Sequence, residues 1–235
     1  MRWTGLARMA AAAVLAGSAA LAVPAAAQAA APVGGGTPIL VGGNAGCTLT
    51  AAGWDASGAP VAFTAAHCSE DLGTQVFLRD DPRAGVIGTI ATRNEVLDYS
   101  VIRLTPAATP VRQPGVTGTG PVPDFGAVVC KDGFTTGHTC GVTWQREGHK
   151  FWHHACAGYG DSGGPVTHEG RLVGLLSGGH MPPNSGPAGS VGPLLPSCVH
   201  PAQTPFFLPA ISYSFDTITA DATERNWPGR GFRMA

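Results

Sequence analysis

Apolar residues along this chain fall into short runs, each closed off by Gly, Pro, Asn, Asp or Ser. One set lies at 47–52, 60–65, 75–78, 86–91 and 99–104, and a second at 127–130, 140–144, 165–167, 172–176 and 204–208. Turn-bounded runs of this length read as strands, and their spacing reads as an all-β barrel or sandwich. Between the two sets, 105–123 contains Pro106, Pro110 and Pro114 and no charge except Arg112, which marks a linker between halves. A Gly- and Pro-rich stretch from Gly178 to Pro196 reads as irregular, and 33–38 as a Gly-rich leader. Only 211–225 has a helical pattern, and no internal repeat is present.

The first thirty residues do not share this pattern. Arg2 and Arg8 precede an apolar run from Met9 to Val23, and Ala27-Gln28-Ala29 follows with small residues at both cleavage-defining positions. That order is the one found in secretory signal peptides. A retained membrane anchor is the competing reading, since the stretch is nearly long enough to span. Its apolar residues are mostly the weakly apolar Ala, which favours removal after Ala29. The expectation is an exported protein with residues 1–29 cleaved and no stable membrane association thereafter.

Composition narrows the class further. The 235 residues include 34 Gly and 20 Pro, only 12 % are charged, and the formal net charge is −1. With no basic run and near-neutral charge, there is no electrostatic footprint for a nucleic acid. Apolar residues make up 44 %, enough for a sizeable core, so the turn-rich composition does not signal disorder. Six cysteines, Cys47, Cys68, Cys130, Cys140, Cys156 and Cys198, read as disulfides in an exported chain, although six allow fifteen pairings. No C-x2-C pair supports zinc.

Three stretches carry candidate chemistry. Gly160-Asp161-Ser162-Gly163-Gly164-Pro165 flanks a serine with small, flexible residues. A nucleophile needs that setting, because its hydroxyl must be reachable and nearby N–H groups must turn toward a developing oxyanion. Taken alone, it could equally be a glycine-rich loop. Thr64-Ala65-Ala66-His67-Cys68 ends an apolar run in a histidine, which a bridged neighbouring cysteine would hold within reach of a hydroxyl as a general base. Asp98, at the head of the run Tyr99 to Leu104, is a carboxylate that is expensive to bury without a partner, and an imidazole N–H is such a partner. Each has an ordinary structural explanation; their combination and order give them weight.

TAAHC, DYSVIRL and GDSGGP, in that order, resemble the motifs of the chymotrypsin-like serine proteases. Val129 to Gly141, and Cys156-Ala157-Gly158-Tyr159 before Gly160, resemble the secreted bacterial streptogrisin-like branch, with similarity over about 39–220. The resemblance implies two packed antiparallel six-stranded β-barrels with a short C-terminal helix and the site in the cleft between them. The protease domain would run over 39–235, with barrels at about 39–110 and 120–235 after a leader at 30–38. His67 would be the general base, Asp98 its orienting partner and Ser162 the nucleophile, with the N–H groups of Gly160 and Ser162 as oxyanion hole. Cysteines would pair as Cys47–Cys68, Cys130–Cys140 and Cys156–Cys198. His154, Ala155, Ser177, Gly178 and Gly179 would contact substrate. The implied protein is a monomeric secreted endopeptidase acting on proteins or peptides without metal or cofactor.

Other readings of the same residues diverge at specific points. Gly160-x-Ser162-x-Gly164 also fits an esterase nucleophile elbow, but that fold requires acid and then histidine after the serine, and only Glu169 before His200 could serve. A catalytically silent binding module is the other alternative, although such relatives usually lose a triad member. His149, His153 and His154 cluster near Cys156 without a supporting acidic ligand, so a surface or pocket-lining role is expected there rather than a metal. No carboxylate precedes Cys156 to favour Lys or Arg in a substrate. Ile39-Leu40-Val41-Gly42-Gly43 resembles a processed N-terminus whose amine would pair with Asp161, although Leu40 interrupts the usual run; either processing at this leader switches the enzyme on or no pro-domain is used.

Overall fold

The computed structural model describes Met1, residues 29–179, Cys198 and residues 207–235; most of the segment read as a signal peptide, most of the 178–196 loop and the first part of the run at 204–208 lie outside the described residues. The first half contains β1 (Ala31–Val33), β2 (Pro38–Val41), β3 (Ala45–Thr48), β4 (Ala51–Trp54), β5 (Pro60–Thr64), β6 (Gln75–Leu78), β7 (Val86–Asn94), β8 (Tyr99–Leu104) and β9 (Ala108–Pro110). The second contains β10 (Gly118–Thr119), β11 (Val128–Gly133), β12 (Gly137–Glu147), β13 (Lys150–His153), β14 (Pro165–His168), β15 (Arg171–Gly179) and β16 (Ala210–Ser214), followed by helix α1 (Phe215–Glu224) and β17 (Arg233–Met234). The fold is mostly β with one short helix, as expected.

Strands β15, β14, β11, β12, β13 and β16 are hydrogen-bonded in that order, and a β15–β16 ladder closes them into a six-stranded barrel. In the first half, β4, β5, β8, β7, β6 and β2 form a six-stranded antiparallel body extended at its ends by β17 and β3. Neighbouring residues on β13 and β15 serve different cores. Phe151, Val173 and Leu176 fill the second barrel, whereas Trp152, Leu172 and Leu175 join the core that continues into the first. Strands buried on both faces in this way read as continuous apolar runs rather than as alternation.

Several elements differ from the sequence expectation. The run at 47–52 is broken between β3 and β4, because the Leu49 N–H turns to Thr37 O and the Thr50 N–H to Phe63 O. The first residues read as helix belong instead to β16; Ser214 then caps α1, its Oγ accepting from the Thr217 N–H at 3.3 Å. Residues 31–33 of the leader form β1, parallel to β9, and Val33 is fully buried. Residues 215–235, read as part of the second barrel, lie beside β15 and β16 and also reach the first. Phe215, Ile218 and Ala222 enter its core, and β17 pairs with β4.

Candidate active site

The inter-barrel cleft is built from three loops that the two halves bring together. His67 sits in a 3-10 turn, Ala66–Cys68, at the end of β5, and the Cys47–Cys68 disulfide ties that turn to β3. Asp98 heads β8 in a left-handed conformation, φ +44°, which is uncommon for a residue with a side chain. Ser162 lies in the turn before β14, where Gly160 and Gly163 have φ of +97° and +84°. A side chain on Gly163 would collide with the backbone of Thr48 and the hydroxyl of Thr64, so glycine is required there by space as well as by φ.

Both barrels grip the serine turn. From β3, the Thr48 N–H donates to Ser162 O at 2.8 Å and its Oγ1 to Gly160 O at 2.9 Å. From the second barrel, the Gly163 N–H donates to Leu176 O at 2.7 Å, and the Leu176 N–H to Gly164 O at 2.9 Å. The result is a continuous chain of polar contacts across the cleft. His67 Nε2 lies 2.8 Å from Ser162 Oγ, and Nδ1 lies 3.0 and 2.9 Å from the two Asp98 oxygens. Asp98 Oδ1 also accepts the His67 backbone N–H at 3.1 Å, and Oδ2 accepts the Ser177 hydroxyl. An ionised Asp98 accepts only, which sets the His67 proton on Nδ1 and leaves Nε2 free to accept from Ser162. Among the described residues, none accepts from the N–H of Gly160 or Ser162.

Ser177, Gly178 and Gly179 border a cleft cavity of about 390 Å³ together with His67, Gly160 and Ser162. Tyr159, at 93 % exposure, stands on its rim. The other two residues expected to contact substrate lie outside that lining. The His154 ring packs against Trp144 and Phe207, with centroids at 4.7 and 4.6 Å, and Ala155 is fully buried. His149 stacks on Tyr213, and His153 is buried against Ser212 Oγ at 2.8 Å, so the three histidines point to different surroundings. Three disulfides are present, Cys47–Cys68, Cys130–Cys140 and Cys156–Cys198, with the implied pairing.

Lys131 was not singled out from the sequence. Its Nζ donates to Asp161 Oδ2 at 3.1 Å, with both side chains fully buried, and to Gly137 O at 2.8 Å. Asp161 also accepts the N–H groups of Thr135 and Thr136 at 2.7 and 3.1 Å, and that of Gly158 at 2.9 Å. Burial raises the Asp161 carboxyl, but the Thr136 hydrogen bond, the Lys131 charge and these N–H groups outweigh it and hold the pKa below the ordinary carboxylate value. Burial pulls Lys131 down, opposed by Asp161. The amine partner expected at Ile39 is therefore replaced: Ile39 lies within β2, fully buried and paired with Cys47 and Leu78.

The architecture is that of the bacterial chymotrypsin-like serine proteases. Nocardiopsis protease matches with a TM-score of 0.60 at 22 % identity, over 81 % of this chain and 96 % of that one. Thermobifida fusca protease A matches at 0.59 and 24 %, over 87 % and 100 %. Cellulomonas bogoriensis chymotrypsin matches at 0.58 and 21 %, over 87 % and 98 %. Neither protein-family models nor curated protein sequences give a match, so the likeness is one of fold.

Proposed function

We propose that this chain is an exported serine endopeptidase that cleaves peptide bonds through an acyl-enzyme. The observation that carries the reading is His67 held between Asp98 and Ser162, with hydrogen-bond distances on both ring nitrogens. Ser162 Oγ attacks the scissile carbonyl carbon while its proton passes to His67 Nε2. The carbonyl oxygen becomes an oxyanion and receives the N–H groups of Gly160 and Ser162. His67 then returns the proton to the leaving amine nitrogen, the C–N bond breaks, and the acyl group remains on Ser162. Water repeats the sequence: its proton goes to Nε2, its oxygen bonds the acyl carbon, and Ser162 Oγ leaves with the proton. Asp98 stays ionised throughout and stabilises the imidazolium.

Substrate would add as an extended strand beside Ser177-Gly178-Gly179 at the end of β15. The cleft walls around Ser162 include Ala157, Gly158, Tyr159 and Leu176, with no carboxylate to pair a cation, which favours uncharged side chains before the scissile bond over Lys or Arg. Lys131 supplies the cation for Asp161 from within the chain, so the site needs no freed amine at Ile39. Cleavage after Ala29 by the export machinery would leave β1 intact, and the secreted form is read as a monomer.

Incubation with a random peptide library, read by mass spectrometry, tests activity and preference together. Turnover at uncharged residues supports the reading. Ser162→Ala is expected to abolish turnover while the circular-dichroism spectrum and melting temperature stay close to wild type; turnover surviving in that variant refutes the mechanism. Asp98→Asn is expected to lower kcat by roughly four orders of magnitude at neutral pH through the wrong imidazole tautomer.

A further inference from the structure

Asp98 is presented by a strained turn, and the groups that hold the turn come from a distant element. The turn runs from Asn94, the last residue of β7, to Tyr99, the first of β8. A non-glycine residue in left-handed backbone persists where its surroundings over-determine it. Here Asn94 Oδ1 accepts the N–H groups of Val96 and Leu97 at 3.0 and 3.1 Å, closing the turn from within. Asn94 Nδ2 donates to Asp221 Oδ2 at 2.8 Å, and the Tyr99 hydroxyl donates to the same oxygen at 2.7 Å. One carboxylate oxygen on α1 thus ties both ends of the turn that carries Asp98. The other Asp221 oxygen accepts from Arg225 Nε at 2.8 Å, one helical turn on. Tyr99 is fully buried, and Asn94 and Leu97 are each 7 % exposed, so the knot is packed as well as hydrogen-bonded.

We infer that Asp221 is a positioning residue for the Asp98–His67 pair, a link by which the C-terminal helix sets where the base is held. Asp221 does not border the cleft; it acts through the backbone of residues 94–99. Burial raises the Asp221 carboxyl, but hydrogen bonds from Arg225, Tyr99 and Asn94 outweigh it and keep it ionised, which strengthens each bond it accepts. The inference rests on the peptidase reading for its kinetic consequence, though not for its structural one.

The test uses the full exported chain and two readouts, the low-field proton resonance on His67 Nδ1 and the kinetics of peptide cleavage. Asp221→Ala is expected to move the resonance upfield or broaden it away, and to lower kcat on the order of tenfold with KM little changed, as for a small misplacement of a catalytic group. Tyr99→Phe, which removes one bond and no volume to speak of, shifts both readouts the same way by less. Asp221→Asn keeps an acceptor oxygen and restores most of the loss. Unchanged resonance and kcat in Asp221→Ala overturn the inference. If Asp221→Ala does not fold, an unchanged resonance in Tyr99→Phe overturns it. A wild-type chain with the resonance but no turnover would defeat the peptidase reading while leaving the resonance arm decisive.

Discussion

Lys131 illustrates what a single residue can hide. Within Val128–Gly133 it reads as an ordinary strand lysine, yet the two-residue period sets it on the same face as Val129, which is fully buried. That periodicity was the available signal; the partner, Asp161, is thirty residues away in sequence and could not be read. Lys131→Met would leave Asp161 buried without its cation, and a loss of about 3–5 kcal/mol in urea unfolding is expected, with turnover lost as the serine turn relaxes. Because the cation is internal, a chain carrying a tag ahead of residue 30 is expected to cleave peptides as fast as the untagged form. A requirement for a free amine at Ile39 would contradict this. His153 is expected to weaken the fold in acid. Complete burial, with the nearby charges of Lys131 and His154, lowers its pKa from 6.5 to about 3. Between those values the unfolded chain binds a proton that the folded chain refuses, so stability falls as pH drops through that window, by about 1.4 kcal/mol per pH unit. Asp161 adds to the loss below its ordinary value of 3.8, where the unfolded chain takes up a proton that the folded carboxylate refuses. Urea midpoints measured from pH 7 to pH 4 should decline steadily, and His153→Gln should flatten the slope.

At the scale of elements, strands flanked by clear turn residues were legible and short or shared ones were not. β5, β6, β8 and β14 fall where apolar runs lie between turn signals, whereas β1 and β10 are too short to show a period and are recruited by partners far along the chain. β16 runs directly into α1, with Ile211, Tyr213 and Phe215 alternating up to the helix, so the sequence shows no break there and the boundary is set by the Ser214 cap. The segment read as a leader offers a sharp check. If 30–38 were loose, trimming Val33 would cost nothing. Since Val33 is fully buried beside β9, Val33→Ala is expected to lose about 2 kcal/mol, from two buried methyl groups and the gap they leave, in the same urea assay.

Over the whole molecule, the candidate site was more legible than the fold that holds it. His67, Asp98 and Ser162 each sit in a local string whose residue types fit their chemistry, so they could be found without knowing the path of the chain. What joins them is non-local: β3 clasping the serine turn from the opposite barrel, Ser177 reaching Asp98, and the C-terminal helix packing back on the first half. The distribution of glycine follows the same division. Gly160 and Gly163 are required by the shape of the site, whereas glycines such as Gly58, Gly73 and Gly126 punctuate turns. The central claim, that these three residues form a working nucleophile, is tested most directly by exposing the folded chain to a fluorophosphonate and mapping the adduct by mass spectrometry. Stoichiometric labelling on Ser162 is expected, lost in His67→Ala; a folded wild-type chain that takes no label, or takes it on another residue, refutes the assignment.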